Sequence, residues 1–123
     1  MLEVYVFQKL REQTDFDNVI SGCEINWGSG FRNLNELDCV VTKGFRSVFI
    51  ECKSTDLEAD YYYKLDSLVK TLGINAIPVI IDDKAGSAAD VKINRGEDMA
   101  IRTITDPSEI DNIGKTIFNL LKD

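Results

Sequence analysis

Histidine is missing from all 123 residues, and the gap removes whole classes of chemistry. Without an imidazole there is no Ser-His-Asp triad, no His-based zinc site and no His general base. Cysteine is scarce too. Cys23, Cys39 and Cys52 are odd in number and form no CxxC pair, which argues against structural zinc and for free thiols, two of them facing the core. No stretch approaches the length of a membrane-spanning helix. No basic n-region followed by an apolar run marks a signal peptide, and no repeat, linker or low-complexity segment interrupts the chain. These absences predict one soluble, cytoplasmic domain over residues 1–123, long enough to bury a sizeable core. An excess of positive charge is lacking as well: the net charge is −7 and the pI about 4.6, against a domain that coats nucleic acid by non-specific electrostatics.

What is present concentrates on one hairpin. Residues 35–43 (NELDCVVTK) and 47–53 (SVFIECK) read as strands rich in Val, Ile and Phe. The Lys43-Gly44-Phe45-Arg46 connection suits a tight turn. A turn centred on Gly44-Phe45 makes paired positions sum to 89, which sets Asp38 across from Glu51 and Glu36 across from Lys53. Directly opposed residues share a face. The other face then carries Leu37, Cys39, Val41, Val48, Ile50 and Cys52, all apolar or thiol, and belongs to the core. Val40 and Phe49 continue the polar face, which predicts a carboxylate cluster at the rim of a second buried layer.

Asp38 and Glu51 side by side repel, and a divalent cation removes the conflict. Hard oxygen ligands favour Mg²⁺ or Mn²⁺, which keep waters and bind through one or two carboxylates plus phosphate oxygens. Such an ion polarises a phosphoryl oxygen and lowers the pKa of its water. Lys53, two residues beyond Glu51, points the same way and would hold the attacking water or neutralise developing charge. The simpler reading is a half-exposed hairpin with cross-strand charge pairs, which stabilise little. Affinity for a phosphodiester would have to come from dimerisation, a partner domain or a local basic strip, for which Arg32, Lys43, Arg46, Lys64 and Lys70 are candidates.

Elsewhere, residues 1–13 read as a helix with Leu2, Val6 and Leu10 on one row and Glu3 at the edge of the stripe. Residues 18–27 read as a strand ended by Gly28-Ser29-Gly30, and 57–72 as a helix striped by Tyr61, Leu65, Leu68, Val69 and Leu72, with Lys64 on its flank. The tyrosines suit a core or interface. The apolar run 75–82 (NAIPVIID) has the look of a strand buried on both faces in parallel pairing. A weak helix over 86–94 and a short strand over 100–105 follow. Asp106-Pro107-Ser108-Glu109 starts a last helix, with Ile110, Ile113, Ile117, Leu120 and Leu121 buried. One mixed sheet with helices on both faces accommodates this order, and the first helix could cover the face bearing the acidic cluster.

The order and the motif together resemble the PD-(D/E)xK, or restriction-endonuclease-like, nuclease superfamily, an α/β fold with an αβββαβ core matching residues 1–82. The resemblance implies a mixed central sheet flanked by helices, and a site of Glu3 from the first helix, Asp38 from the second strand, and Glu51 with Lys53 from the third. More narrowly, NELDCVVTKGFRSVFIECKS followed by YYYKLDSLVKTLG is similar to the nuclease domains of CRISPR-associated, cyclic-oligoadenylate-activated effectors. Those carry an N-terminal CARF sensor ahead of the nuclease, and no sensor is expected within these residues. Leu37 stands where the superfamily's nominal proline would be. The resemblance implies a Mg²⁺- or Mn²⁺-dependent endonuclease acting on DNA and/or RNA, in CRISPR-linked or other antiviral defence, paired as a homodimer and independent of membranes. Asp38, Glu51 and the main-chain carbonyl of Cys52 would bind the metal. Lys53 would position the nucleophile and Glu3 would add a carboxylate, with Glu36 and Lys64 in support. A catalytically silent binding or dimerisation module on the same fold is the alternative.

Overall fold

The computed structural model describes residues 2–25, 35–53, 65, 66, 70, 75–83 and 101–122. The expectations over 57–72 and 86–94, with Arg32, Lys64 and the Gly28–Gly30 break, lie outside the described residues, except that residues 65, 66 and 70 are helical.

Helix α1 (Leu2–Glu12) buries Leu2, Val6 and Leu10, the row its spacing dictates. Each such side chain withdrawn from water stabilises by about 1.5–3 kcal/mol. Strands β1 (Asn18–Ile25), β2 (Asn35–Lys43) and β3 (Arg46–Lys53) follow. Then come β4 (Ala76–Asp82) and β5 (Arg102–Ile104), and helices α2 (Pro107–Asp111) and α3 (Ile113–Leu121).

The sheet runs β1-β2-β3-β4-β5. β1, β2 and β3 pair antiparallel, whereas β4 and β5 join parallel, so β3 is the strand at which direction changes. The β2–β3 register (Cys39↔Ile50, Val41↔Val48, Lys43↔Arg46) sums to 89, as the hairpin requires. Gly44 takes φ +60 in the turn, a conformation that costs glycine nothing. Its N–H donates to Asp17 Oδ2 at 2.6 Å, and Lys43 Nζ donates to the carbonyl of Asp15 at 3.0 Å.

The two faces of the sheet differ. One carries Cys39, Val41, Val48, Ile50, Cys52, Val79, Ile81 and Ile104, packed with Leu2, Val6 and Leu10 of α1 and with Ile110, Ile113, Ile117 and Leu121 of α2 and α3. Helix α1 therefore covers the thiol-bearing face, not the face of the acidic cluster. Its apolar stripe is met by the fully apolar set of strand residues, which excludes more water than a face containing carboxylates would. The other face buries Val40, Phe49, Ile80 and Thr103, the second layer expected from the sequence.

The last helix is two. Asp106 caps α2, its Oδ1 accepting from the Ser108 N–H at 3.0 Å, with Pro107 at the first position as expected. Asn112 then interrupts the helix with φ −108 and ψ 32. Its Nδ2 donates to the Ser108 carbonyl at 2.9 Å, which also accepts the Asn112 main-chain N–H at 3.1 Å.

Candidate active site

The site begins where the β2–β3 ladder ends. Cys39↔Ile50 is its last pair, and the next position on each strand brings Asp38 across from Glu51. Asp38 does more than face its neighbour: its Oδ2 accepts the main-chain N–H of Cys52 at 2.7 Å. A ladder would give that N–H to a carbonyl of β2; here a carboxylate takes it. The charge-assisted bond fixes the Asp38 side chain on the β3 backbone. A strand residue that pairs through its N–H presents its carbonyl to the same neighbour, so the Cys52 carbonyl belongs to the β2 side of β3, where Asp38 lies.

On β1 the position opposite Asp38 is Gly22. The β1–β2 register holds on either side of it (Ser21↔Cys39, Cys23↔Leu37) and skips it. Gly22 has φ +60, and no atom of the described residues lies within 4 Å of where its Cβ would be. The β1–β2 pairing is thus interrupted at the position beside Asp38.

Asp38 and Glu51 are half-buried, as is Glu3 in the first turn of α1. The Cys52 thiol belongs to the residue next to Glu51 in sequence, whose main-chain N–H is held by Asp38. Its pKa is raised first by burial, then by the negative charges of Asp38, Cys39, Glu51 and Glu3. Cys39 is pushed up to about 12, by burial and then by Asp38. At both thiols burial is the first cause and the Asp38 charge the second. Both thiols are free and buried, in accord with their alternation on the core face.

Among the described residues no group of three or more Asp, Glu or Cys side chains forms a ready-made metal cage. What is present is a half-buried carboxylate pair next to a main-chain carbonyl. That hard-oxygen set suits an ion which keeps several waters and binds protein through one or two carboxylates. Lys53 ends β3 at the register position of Asp82 on β4, and Glu36 pairs with Glu24 on β1. Lys64 lies outside the described residues. The sequence reading missed Asp82, which is wholly buried. Its signal was an acid closing an otherwise apolar strand.

The sequence profile of the Card1-like endonuclease domain matches residues 1–122. The chain belongs to the Card1-like endonuclease domain family. Comparison with curated protein sequences gives no match. Among solved structures, this Card1-like domain is similar to Can2 from Sulfobacillus thermosulfidooxidans, solved in complex with cyclic tetra-adenylate. The TM-score is 0.72 and the identity 25%, over 95% of this chain and 34% of Can2. Protein VC1899 from Vibrio cholerae gives a TM-score of 0.72 at 22% identity, over 98% of this chain and 32% of that one. The small subunit of the heterodimeric restriction endonuclease R.BspD6I gives 0.59 at 19% identity, over 99% and 69%. The domain has the restriction-endonuclease-like fold, and it spans about a third of the length of Can2 and VC1899. No helix among its described residues is long and apolar enough to cross a membrane.

Proposed function

We propose that residues 1–123 form a single nuclease domain of the PD-(D/E)xK type that hydrolyses phosphodiester bonds of DNA and/or RNA with Mg²⁺ or Mn²⁺. Membership of an endonuclease-domain family supports the reaction class. The observation that carries the site is the Asp38 carboxylate locked onto the Cys52 N–H, one register step from Ile50 and so across from Glu51.

Asp38 and Glu51 would hold the ion together with the Cys52 carbonyl. When bound, the ion supplies polarisation of a phosphoryl oxygen and a water of lowered pKa. Lys53, on the same face as Glu51, orients the attacking water and balances charge arising on the phosphate. Glu3, in the first turn of α1, would add a further carboxylate, acting through water. Glu36 would support Lys53 from β2, and Lys64 would support the phosphate. Gly22 would leave the β1 side of Asp38 open to a substrate strand. The acidic net charge makes a homodimer or an adjoining sensor domain the source of substrate affinity. The likeness to Can2, with its cyclic tetra-adenylate, supports a role in CRISPR-linked or other antiviral defence, and a cytoplasmic location would go with that role.

The test is cleavage of supercoiled plasmid, single-stranded DNA and RNA with Mn²⁺, beside Glu51→Ala. Cleavage abolished by the substitution supports the reading and names the substrate class. A wild-type protein that cleaves none of them, with no Mn²⁺ affinity that depends on Glu51, would leave the silent nuclease-fold module in its place.

A further inference from the structure

Asp82 is the one charged side chain among the described residues that is wholly withdrawn from water, with 0% exposure. A carboxylate in such a setting persists only when it is paired or fully hydrogen-bonded. No buried side-chain nitrogen or oxygen among the described residues lacks a hydrogen-bond partner. The register supplies the neighbours. Asp82 closes β4 directly beside Lys53 on β3, which sets the two on the same face at the separation of adjacent strands, about 4.8 Å. Glu51 lies one step back on that face, beside Ile80. Thr103, the other buried polar residue, also pairs with Ile80. Among the described residues, Lys53 is the basic residue that the register sets beside the buried acid.

We infer that Asp82 is a positioning residue for Lys53, a buried anion that holds the ammonium at one point of the face shared with Glu51. A lysine stem is long and flexible. A carboxylate fixed on a central strand removes that freedom and presents the ammonium to the phosphate rather than to Glu51, with which it would otherwise pair. The pairing rests on register and burial. Its catalytic consequence rests on the nuclease reading above.

The experiment separates the two. Thermal unfolding of the wild type, Lys53→Met, Asp82→Asn and the double variant reads the pair without any cleavage. Lys53→Met leaves the acid buried without that cation, and Tm is expected to fall by roughly 10 °C. Adding Asp82→Asn should restore most of that loss. Additive changes in Tm would overturn the pairing and assign Asp82 to Thr103 or the main chain. Single-turnover cleavage with Mn²⁺ then reads the consequence. Asp82→Asn is expected to lower the maximal rate about ten- to a hundredfold, with KM and Mn²⁺ affinity unchanged within about twofold. Its loss should vanish when Lys53 is already replaced. A full-rate Asp82→Asn protein, or an equal loss in both backgrounds, overturns the positioning role. Should Asp82→Asn fail to fold, acetylation of Lys53 measured by mass spectrometry on the wild type decides: fast modification at the rate of exposed lysines is the overturning result, and protection the supporting one. Absence of wild-type cleavage would instead remove the nuclease reading, and with it the positioning role, while the Tm cycle still decides the pairing.

Discussion

The same strands build two different surfaces by alternation. On one face of the sheet Cys39, Val41, Val48, Ile50 and Cys52 pack under α1, α2 and α3 with no charge among them. On the other, residues one step along the same strands are Asp38, Val40, Phe49 and Glu51, with Ile80, Asp82 and Thr103 beyond. The first face is occupied by packing alone. The second is apolar at the hairpin end and polar at the end where β2 and β3 part company. Chemistry is confined to a rim because there the carboxylates remain half-buried while the layer behind them keeps water out.

Substitutions can break this division of labour. The largest effect belongs to the polar rim. Glu51→Ala should lower Mn²⁺-dependent cleavage by at least about a hundredfold and leave the urea midpoint nearly where it was, since Glu51 contributes little to the packed face. The reverse is expected of Ile50→Ala. Its side chain is wholly buried, so unfolding free energy should fall by about 2–5 kcal/mol in a urea titration, with Mn²⁺ affinity intact in the folded fraction. Activity lost with Ile50 in proportion to stability would show the faces to be one cooperative unit.

Asp38 joins the two roles. Asp38→Ala should remove metal affinity and also cost about 1–3 kcal/mol, because the Cys52 N–H loses its acceptor; calorimetry with and without Mn²⁺ checks both parts. A smaller effect tests the packed face by pH. The thiol pKa values of Cys39 and Cys52 are raised in the folded protein by burial first and then by Asp38, from the ordinary thiol value of 9.0. Below pH 9 both states keep these protons and nothing changes. Above it the unfolded chain loses them first, so stability should fall by up to about 1.4 kcal/mol per pH unit per thiol. For Cys39 the fall continues until the pH reaches about 12. Denaturant titrations of the wild type against Cys39→Ala across pH 8–10 measure the slope, and an unchanged slope would place the thiols in contact with water.

Much of this was legible in the sequence because alternation and turn chemistry are local. The sum-of-89 register followed from Gly44 and from six consecutive matches on the core face, and the Asp106 cap followed from Pro107 and Glu109. What lay beyond reach was non-local or depended on a single side-chain bond. Ile110, Ile113 and Ile117 are spaced for one helix, and the backbone of Asn112, at φ −108 and ψ 32, divides it. The face that α1 covers is a matter of tertiary packing, which its own amphipathic stripe does not specify. Asp82 reads in sequence as the polar end of a strand; its burial depends on what surrounds the end of β4. The bond from the Cys52 N–H to Asp38 required knowing where the ladder stops.

The change of direction at β3 also governs the order in which the molecule can assemble. Asp38 and Cys52 are 14 residues apart, within one hairpin, so little loop entropy opposes their meeting and the hairpin can zip in microseconds. The parallel partner of β3 arrives only after the crossover from Lys53 to Ala76 has closed, a slower and non-local event. The nascent chain would thus gather the carboxylates of its site first, and Asp82 beside Lys53 would be the mark that the sheet has been completed.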